Sequence, residues 1–105
     1  MMETIAAMKN GPVTTVTITR LAMNPAFFSE FEAAFRAISA DPEVRAVVVL
    51  SEGKAFSYGL DLAAAFGEYG ALFRGELAGT RTKLLALIRK LQGAFNAVAD
   101  CPVPV

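Results

Sequence analysis

Along residues 13 to 20, VTTVTITR, apolar and polar positions alternate, placing Thr14, Val16 and Ile18 on one face and Thr15, Thr17 and Thr19 on the other. A period of two carried by β-branched residues predicts a strand with one buried face. Residues 3 to 8 lie just upstream across Asn10-Gly11, a strong tight-turn pair, and the two segments together predict a hairpin. The period then lengthens. Phe27, Phe31, Phe35 and Ile38 recur at spacings of four, four and three, which makes one aromatic stripe along a helix. Asn24 supplies a side-chain acceptor for the free first-turn amides, Pro25 suits the first helical position, and Asp41-Pro42 ends the run. The stripe points to helix-on-sheet packing rather than to a cofactor platform. A third pattern follows: RAVVVL, residues 45 to 50, is apolar without alternation, as in strands covered on both faces. Strand, helix and strand make a unit with a right-handed crossover, hence an α/β sheet. Ligands of such sheets lie beyond the carboxyl ends of the strands, so residues 51 to 62 become the candidate site.

Beyond Leu62 the pattern weakens in AAAFGEYGALFRGELAG, where Gly67, Gly70, Gly75 and Gly79 interrupt helix formation and predict a mobile, partly helical segment beside the ligand. From Thr80 it recovers. Leu84, Ile88, Leu91, Phe95 and Val98 define an amphipathic helix ending before Cys101-Pro102. Val103 and Val105 look like the start of another strand, and the absence of internal repeats or long linkers predicts one domain.

Composition changes this picture in one respect. A hydrophobic fraction of 54% with 19% charged residues is apolar for 105 residues, and predicts either part of a longer domain or a protomer covered by other protein. Ten basic and ten acidic side chains cancel, so no long-range field favours nucleic acid or an acidic membrane. Locally, Arg74, Arg81, Lys83, Arg89 and Lys90 face Glu76 alone, either as a solvated helix face or as a site for ligand phosphates. No apolar stretch approaches the roughly 18 residues of a membrane span, and MMETIAAMKNG does not read as a signal peptide. The lone Cys101 fits a reducing compartment, and the expected location is cytoplasmic.

The candidate chemistry is narrowed by what is missing. With no histidine, the usual catalytic triads, histidine-bearing zinc sites and imidazole acid-base schemes are excluded, and no metal site is expected. Cys101 lacks a histidine partner and reads as a small buried hydrophobe. Phosphate-binding glycine fingerprints are absent. What remains is KAFSYGLDL, residues 54 to 62. Its Asp61 is a helix cap or turn former, or a catalytic carboxylate. Gly59 is an ordinary loop glycine, or one that grants a ligand close approach to the backbone or takes a positive φ. A helix start at this point would leave the Leu60 N–H free to donate to an anionic oxygen.

Residues 22 to 62, AMNPAFFSEFEAAFRAISADPEVRAVVVLSEGKAFSYGLDL, together with NAVADCPVPV, resemble the enoyl-CoA hydratase/isomerase (crotonase) family. The shared motifs are an Ala-Leu/Met-Asn segment, an Asp-x-x-Val-Arg turn, Phe-Ser-x-Gly-x-Asp-Leu after a hydrophobic strand, and Cys-Pro-x-Pro-Val. The resemblance implies the α/β spiral fold of repeated strand-strand-helix units (the ClpP/crotonase fold), with residues 1 to 105 as its amino-terminal portion. It implies that the backbone N–H of Leu60 is one half of an oxyanion hole, with Phe56, Ser57, Gly59 and Asp61 shaping the loop. Ala22 and Met23, with Ser57, Tyr58 and Leu60, would line the substrate and coenzyme A site. The substrate would be an acyl-CoA thioester of fatty acid or related metabolism. Coenzyme A enters only as part of that substrate, so no separate cofactor is implied. The assembly would be a homotrimer or homohexamer. The second oxyanion amide and the acidic catalysts are expected beyond residue 105, so the segment alone would be inactive. A non-catalytic acyl-CoA-binding or assembly domain is the alternative. Leu21 departs from the family's usual asparagine, Arg20 follows the strand without the common proline, and Tyr58 replaces a small residue, leaving acyl selectivity open.

Overall fold

A computed structural model describes residues 3–70 and 77–105. The predicted hairpin is β1 (Ile5–Asn10) and β2 (Val13–Ile18), paired antiparallel with Asn10 opposite Val13. The two-residue connection is Gly11-Pro12, one position later than the Asn-Gly signal suggests. Gly11 takes φ +62°, and proline's fixed negative φ follows it, the combination of a type II′ turn. Thr14, Val16 and Ile18 are all buried, as the alternation requires. A two-residue strand β3 (Ala22–Met23) leads into α1 (Pro25–Ala40), whose cap is Asn24: its side chain accepts from the Phe27 N–H at 3.0 Å. β4 (Ala46–Ser51) returns parallel to β2, giving a sheet in the order β1-β2-β4. The strand starts at Ala46, one residue later than the apolar run, and the amides of Arg45 and Ala46 both donate to the Pro12 carbonyl.

The core lies between one face of this sheet and α1. Phe27, Phe31 and Phe35 stack in sequence with ring centroids 5.0 and 4.9 Å apart, over Val16, Ile18 and Val47. Thr4 is fully buried and anchors the amino-terminal strand to α1, because one oxygen of Glu30 accepts from the Glu3 N–H, the Thr4 N–H and the Thr4 hydroxyl at 2.8, 2.9 and 2.9 Å. Three donors on one carboxylate oxygen favour its ionised form. Burial opposes them, and the net effect holds the Glu30 carboxyl below its usual range.

Two expectations change. β4 is covered on one face only: Val47 is buried, whereas Val48 and Leu50 on the opposite face are 42% and 45% exposed. Its outer edge is engaged at one point, where the Val47 N–H donates to the Pro104 carbonyl at 2.9 Å. The last helix, α3 (Leu77–Ala99), begins before Thr80, and its deepest burial falls on small residues beside the predicted stripe rather than on the stripe itself. Ala94 and Ala97 are its deeply buried positions, with Leu91 and Val98 packed beside them, while Ile88 and Phe95 are almost half exposed. The reason is steric. Phe28 and Phe31 of α1 project toward α3, with Phe95 reaching them from the side at 6.0 and 6.2 Å, so small residues must occupy the line of closest approach. The resulting molecule is elongated, with a radius of gyration of 15.5 Å against about 13 Å for a compact domain of this length.

Candidate active site

The loop after β4 is tied at several points before it reaches Gly59. The Ser51 hydroxyl donates to the Ala55 carbonyl at 2.9 Å and accepts from the Gly53 N–H. Gly53 lies against Leu21: a Cβ at residue 53 would meet the Leu21 side chain at 2.6 Å. Ser57 then joins the loop to the segment before α1. Its hydroxyl donates to the Leu21 carbonyl at 3.2 Å and accepts from the Gly59 N–H at 3.0 Å, and the Tyr58 N–H also donates to the Leu21 carbonyl.

The next residues form strand β5 (Gly59–Leu60), which pairs parallel with β3: Gly59 lies opposite Ala22 and Leu60 opposite Met23. Residues 37 positions apart in the chain, singled out separately in the sequence, thereby become neighbours. Gly59 adopts φ +80°, which disfavours any side chain, and a Cβ there would meet no atom within 4 Å. The glycine is therefore required by backbone conformation and not by crowding within this chain.

Asp61 caps the following helix α2 (Leu62–Tyr69): its side chain accepts from the Ala64 N–H at 3.0 Å while its own N–H donates to the Met23 carbonyl. The cap or turn reading of Asp61 thus has its geometry. Leu60 stands one residue before the cap and outside the first helical turn, so its amide direction is set by β5 and by the left-handed Gly59 rather than by the helix start. Phe56 and Tyr58 extend outward, 58% and 67% exposed.

Leu60 borders an apolar, partly open cavity of about 210 Å³ between α1, α2 and α3. Phe28 contributes from α1, Ala65 and Tyr69 from α2, and Leu84 and Leu91 from α3; among the described residues no polar atom lines it. Ala65 and Tyr69 are four residues apart on one face of α2. Burial, with the nearby Glu68 charge as the lesser cause, pushes the Tyr69 hydroxyl pKa upward. The partly helical expectation holds for α2, which forms in spite of Gly67; what was not anticipated from the sequence is that Ala65 and Tyr69 share a cavity-facing side, for which the Asp61, Ala65, Tyr69 spacing was the available signal. The mobile segment expected beside the ligand falls partly on residues 71–76, outside the described residues, as do Arg74 and Glu76. Arg81, Lys83, Arg89 and Lys90 are exposed on α3, in keeping with a solvated face. Cys101 is half-buried against the core. Among the described residues no cluster of acidic, cysteine or histidine side chains has metal-binding geometry, and no helix is long and apolar enough to cross a membrane.

The fold has counterparts among solved structures. An enoyl-CoA hydratase/carnithine racemase from Magnetospirillum magneticum superposes with a TM-score of 0.80 at 29% identity, over 100% of this chain and 38% of its own. An enoyl-CoA hydratase/isomerase from Xanthobacter autotrophicus Py2 gives 0.76 at 28%, over 99% and 37%. Delta(3,5)-Delta(2,4)-dienoyl-CoA isomerase, mitochondrial, of Mus musculus is 40% identical over 86 residues, 82% of this chain and 26% of that protein. The chain thus spans about a quarter of the length of the curated relatives it matches. The family model for enoyl-CoA hydratase/isomerase matches residues 8–99. With that match over most of its length, and the same α/β crotonase-like fold, the chain belongs to the enoyl-CoA hydratase/isomerase family.

Proposed function

We propose that this chain forms part of an enzyme acting on acyl-CoA thioesters, in which the Leu60 N–H is one donor of an oxyanion hole. The observation that carries the reading is the placement of Leu60: it follows a glycine held at φ +80° and borders a wholly apolar cavity. A thioester carbonyl near the Leu60 amide would leave its acyl chain facing hydrocarbon walls. Hydration or isomerisation of such a thioester passes through an enolate-like state with negative charge on the carbonyl oxygen. A backbone donor already fixed by Ser57, Gly59 and the β3–β5 pairing stabilises that charge without reorganising, an effect of about 3 kcal/mol per donor. The positive end of α2, two residues further on, acts in the same sense. Ala22 and Met23, which pair with Gly59 and Leu60, are assigned to the coenzyme A side.

The second donor and the acid-base carboxylates are assigned to sequence beyond residue 105, so this portion supplies binding and half of the charge stabilisation. The reading also carries a trimeric or hexameric assembly, a cytoplasmic location and a place in fatty acid or related acyl-CoA metabolism. Exposed Val48 and Leu50 support burial against further protein. The direct test is turnover of 2-enoyl- and 3,5-dienoyl-CoA thioesters by the complete natural protein. Binding without turnover of any thioester would favour the non-catalytic acyl-CoA-binding domain, and absence of binding would refute both.

A further inference from the structure

We infer that Tyr69 is the residue that sets acyl-chain length in this protein, by closing the end of the cavity away from Leu60; the inference rests on the acyl-CoA reading above. Leu60 and Tyr69 line the same cavity from opposite ends of α2. With eight residues in that helix, its ends are separated by about 12 Å at ~1.5 Å per residue. The cavity is thus bordered by residues at both ends of α2. Ala65, at mid-helix on the same face, takes up little of that space, whereas the Tyr69 ring is the bulkiest group that α2 contributes to the wall. Among the described residues the wall is apolar, so the ring and not the hydroxyl faces the cavity. It admits an unsubstituted hydrocarbon chain.

The volume gives a length. A cavity of 210 Å³ holds about seven groups of ~30 Å³ each, the liquid share of a water molecule and roughly that of a methylene. Medium chains fill it, and longer ones meet the Tyr69 ring. Tyr58, two-thirds exposed and outside the wall, has no comparable hold on the chain.

The experiment measures dissociation constants of saturated acyl-CoA thioesters from four to sixteen carbons with the complete natural protein, by calorimetry. Wild type should gain about fourfold in affinity per methylene up to a break near medium length, then gain nothing. Tyr69→Ala should move the break to longer chains by several carbons. Tyr69→Phe should leave it in place, since the ring is retained, and Tyr69→Trp should shorten it. Circular dichroism and affinity for free coenzyme A report on folding; if Tyr69→Ala misfolds, the Tyr69→Trp shift decides. A break that stays in place in a folded Tyr69→Ala or Tyr69→Trp protein overturns the assignment and leaves the acyl-CoA reading intact. A wild-type protein that binds all lengths alike overturns this inference alone, whereas one that binds no acyl-CoA overturns the acyl-CoA reading and this inference with it.

Discussion

Gly59→Val is the sharpest test of the site, because the structure separates its two possible effects. A valine Cβ would touch nothing within 4 Å, so steric collision inside the chain contributes no penalty. The cost is conformational: at φ +80° a β-branched residue carries strain of about 1–3 kcal/mol. The loop relieves that strain by rotating toward negative φ, which turns the Gly59–Leu60 peptide and with it the Leu60 N–H. Loss of one oxyanion donor lowers kcat by roughly 100- to 1,000-fold. In the complete natural protein, Gly59→Val should therefore lower kcat/KM by about 100-fold or more, with a fall in thermal stability no larger than the strain. Leu60→Met keeps both the amide and most of the side-chain volume and should retain near-normal turnover. Steady-state kinetics paired with circular dichroism and an oligomer measurement separates lost chemistry from lost folding. A well-folded Gly59→Val protein with near-wild-type kcat/KM would refute the oxyanion assignment. A large loss in Leu60→Met with Gly59→Val unaffected would assign the function to the side chain.

Tyr58→Ala should leave the ranking of acyl-CoA substrates by chain length unchanged, because its ring lies outside the cavity wall; a reordered kcat/KM series would place the ring against the substrate. The Glu30 carboxyl has its pKa held below the usual 4.5 in the folded chain. The native state therefore binds fewer protons there than the unfolded state, and the contribution is complete above that value and lost as pH falls through the native pKa. Glu30→Gln should flatten the acid limb of Tm against pH, and an unchanged slope would show that the three-donor clamp carries no linkage. The 105-residue chain by itself should aggregate or unfold with poor cooperativity, because Met8, Val48 and Leu50 expose apolar surface on the uncovered face of the sheet. Reversible two-state unfolding of a monomer, with matching calorimetric and van't Hoff enthalpies, would contradict this.

Local signals in the sequence were sufficient wherever one neighbour or one period controls the backbone. The β-branched alternation of β2, the Asn24-Pro25 start of α1 and the aromatic stripe depend on contacts within a few residues or on a single buried face. They are present as read. At Gly59 the sequence left an ordinary loop glycine, close ligand approach and a positive φ open, and the structure shows the positive φ. Tertiary structure decided what depends on the neighbour's shape. Which positions of α3 lie deepest was settled by the phenylalanines of α1, beside which Ala94 and Ala97 sit at the closest approach while the predicted stripe residues Leu91 and Val98 pack next to them. The β3–β5 pairing is two residues long on each side, too short to leave a periodic trace, yet it places Ala22 and Met23 beside Gly59 and Leu60. The cavity exists only where three helices meet, and its Tyr69 wall sits on a helix whose glycines argue locally against it. Short-range chemistry fixed the donor; long-range packing built the space that the donor faces.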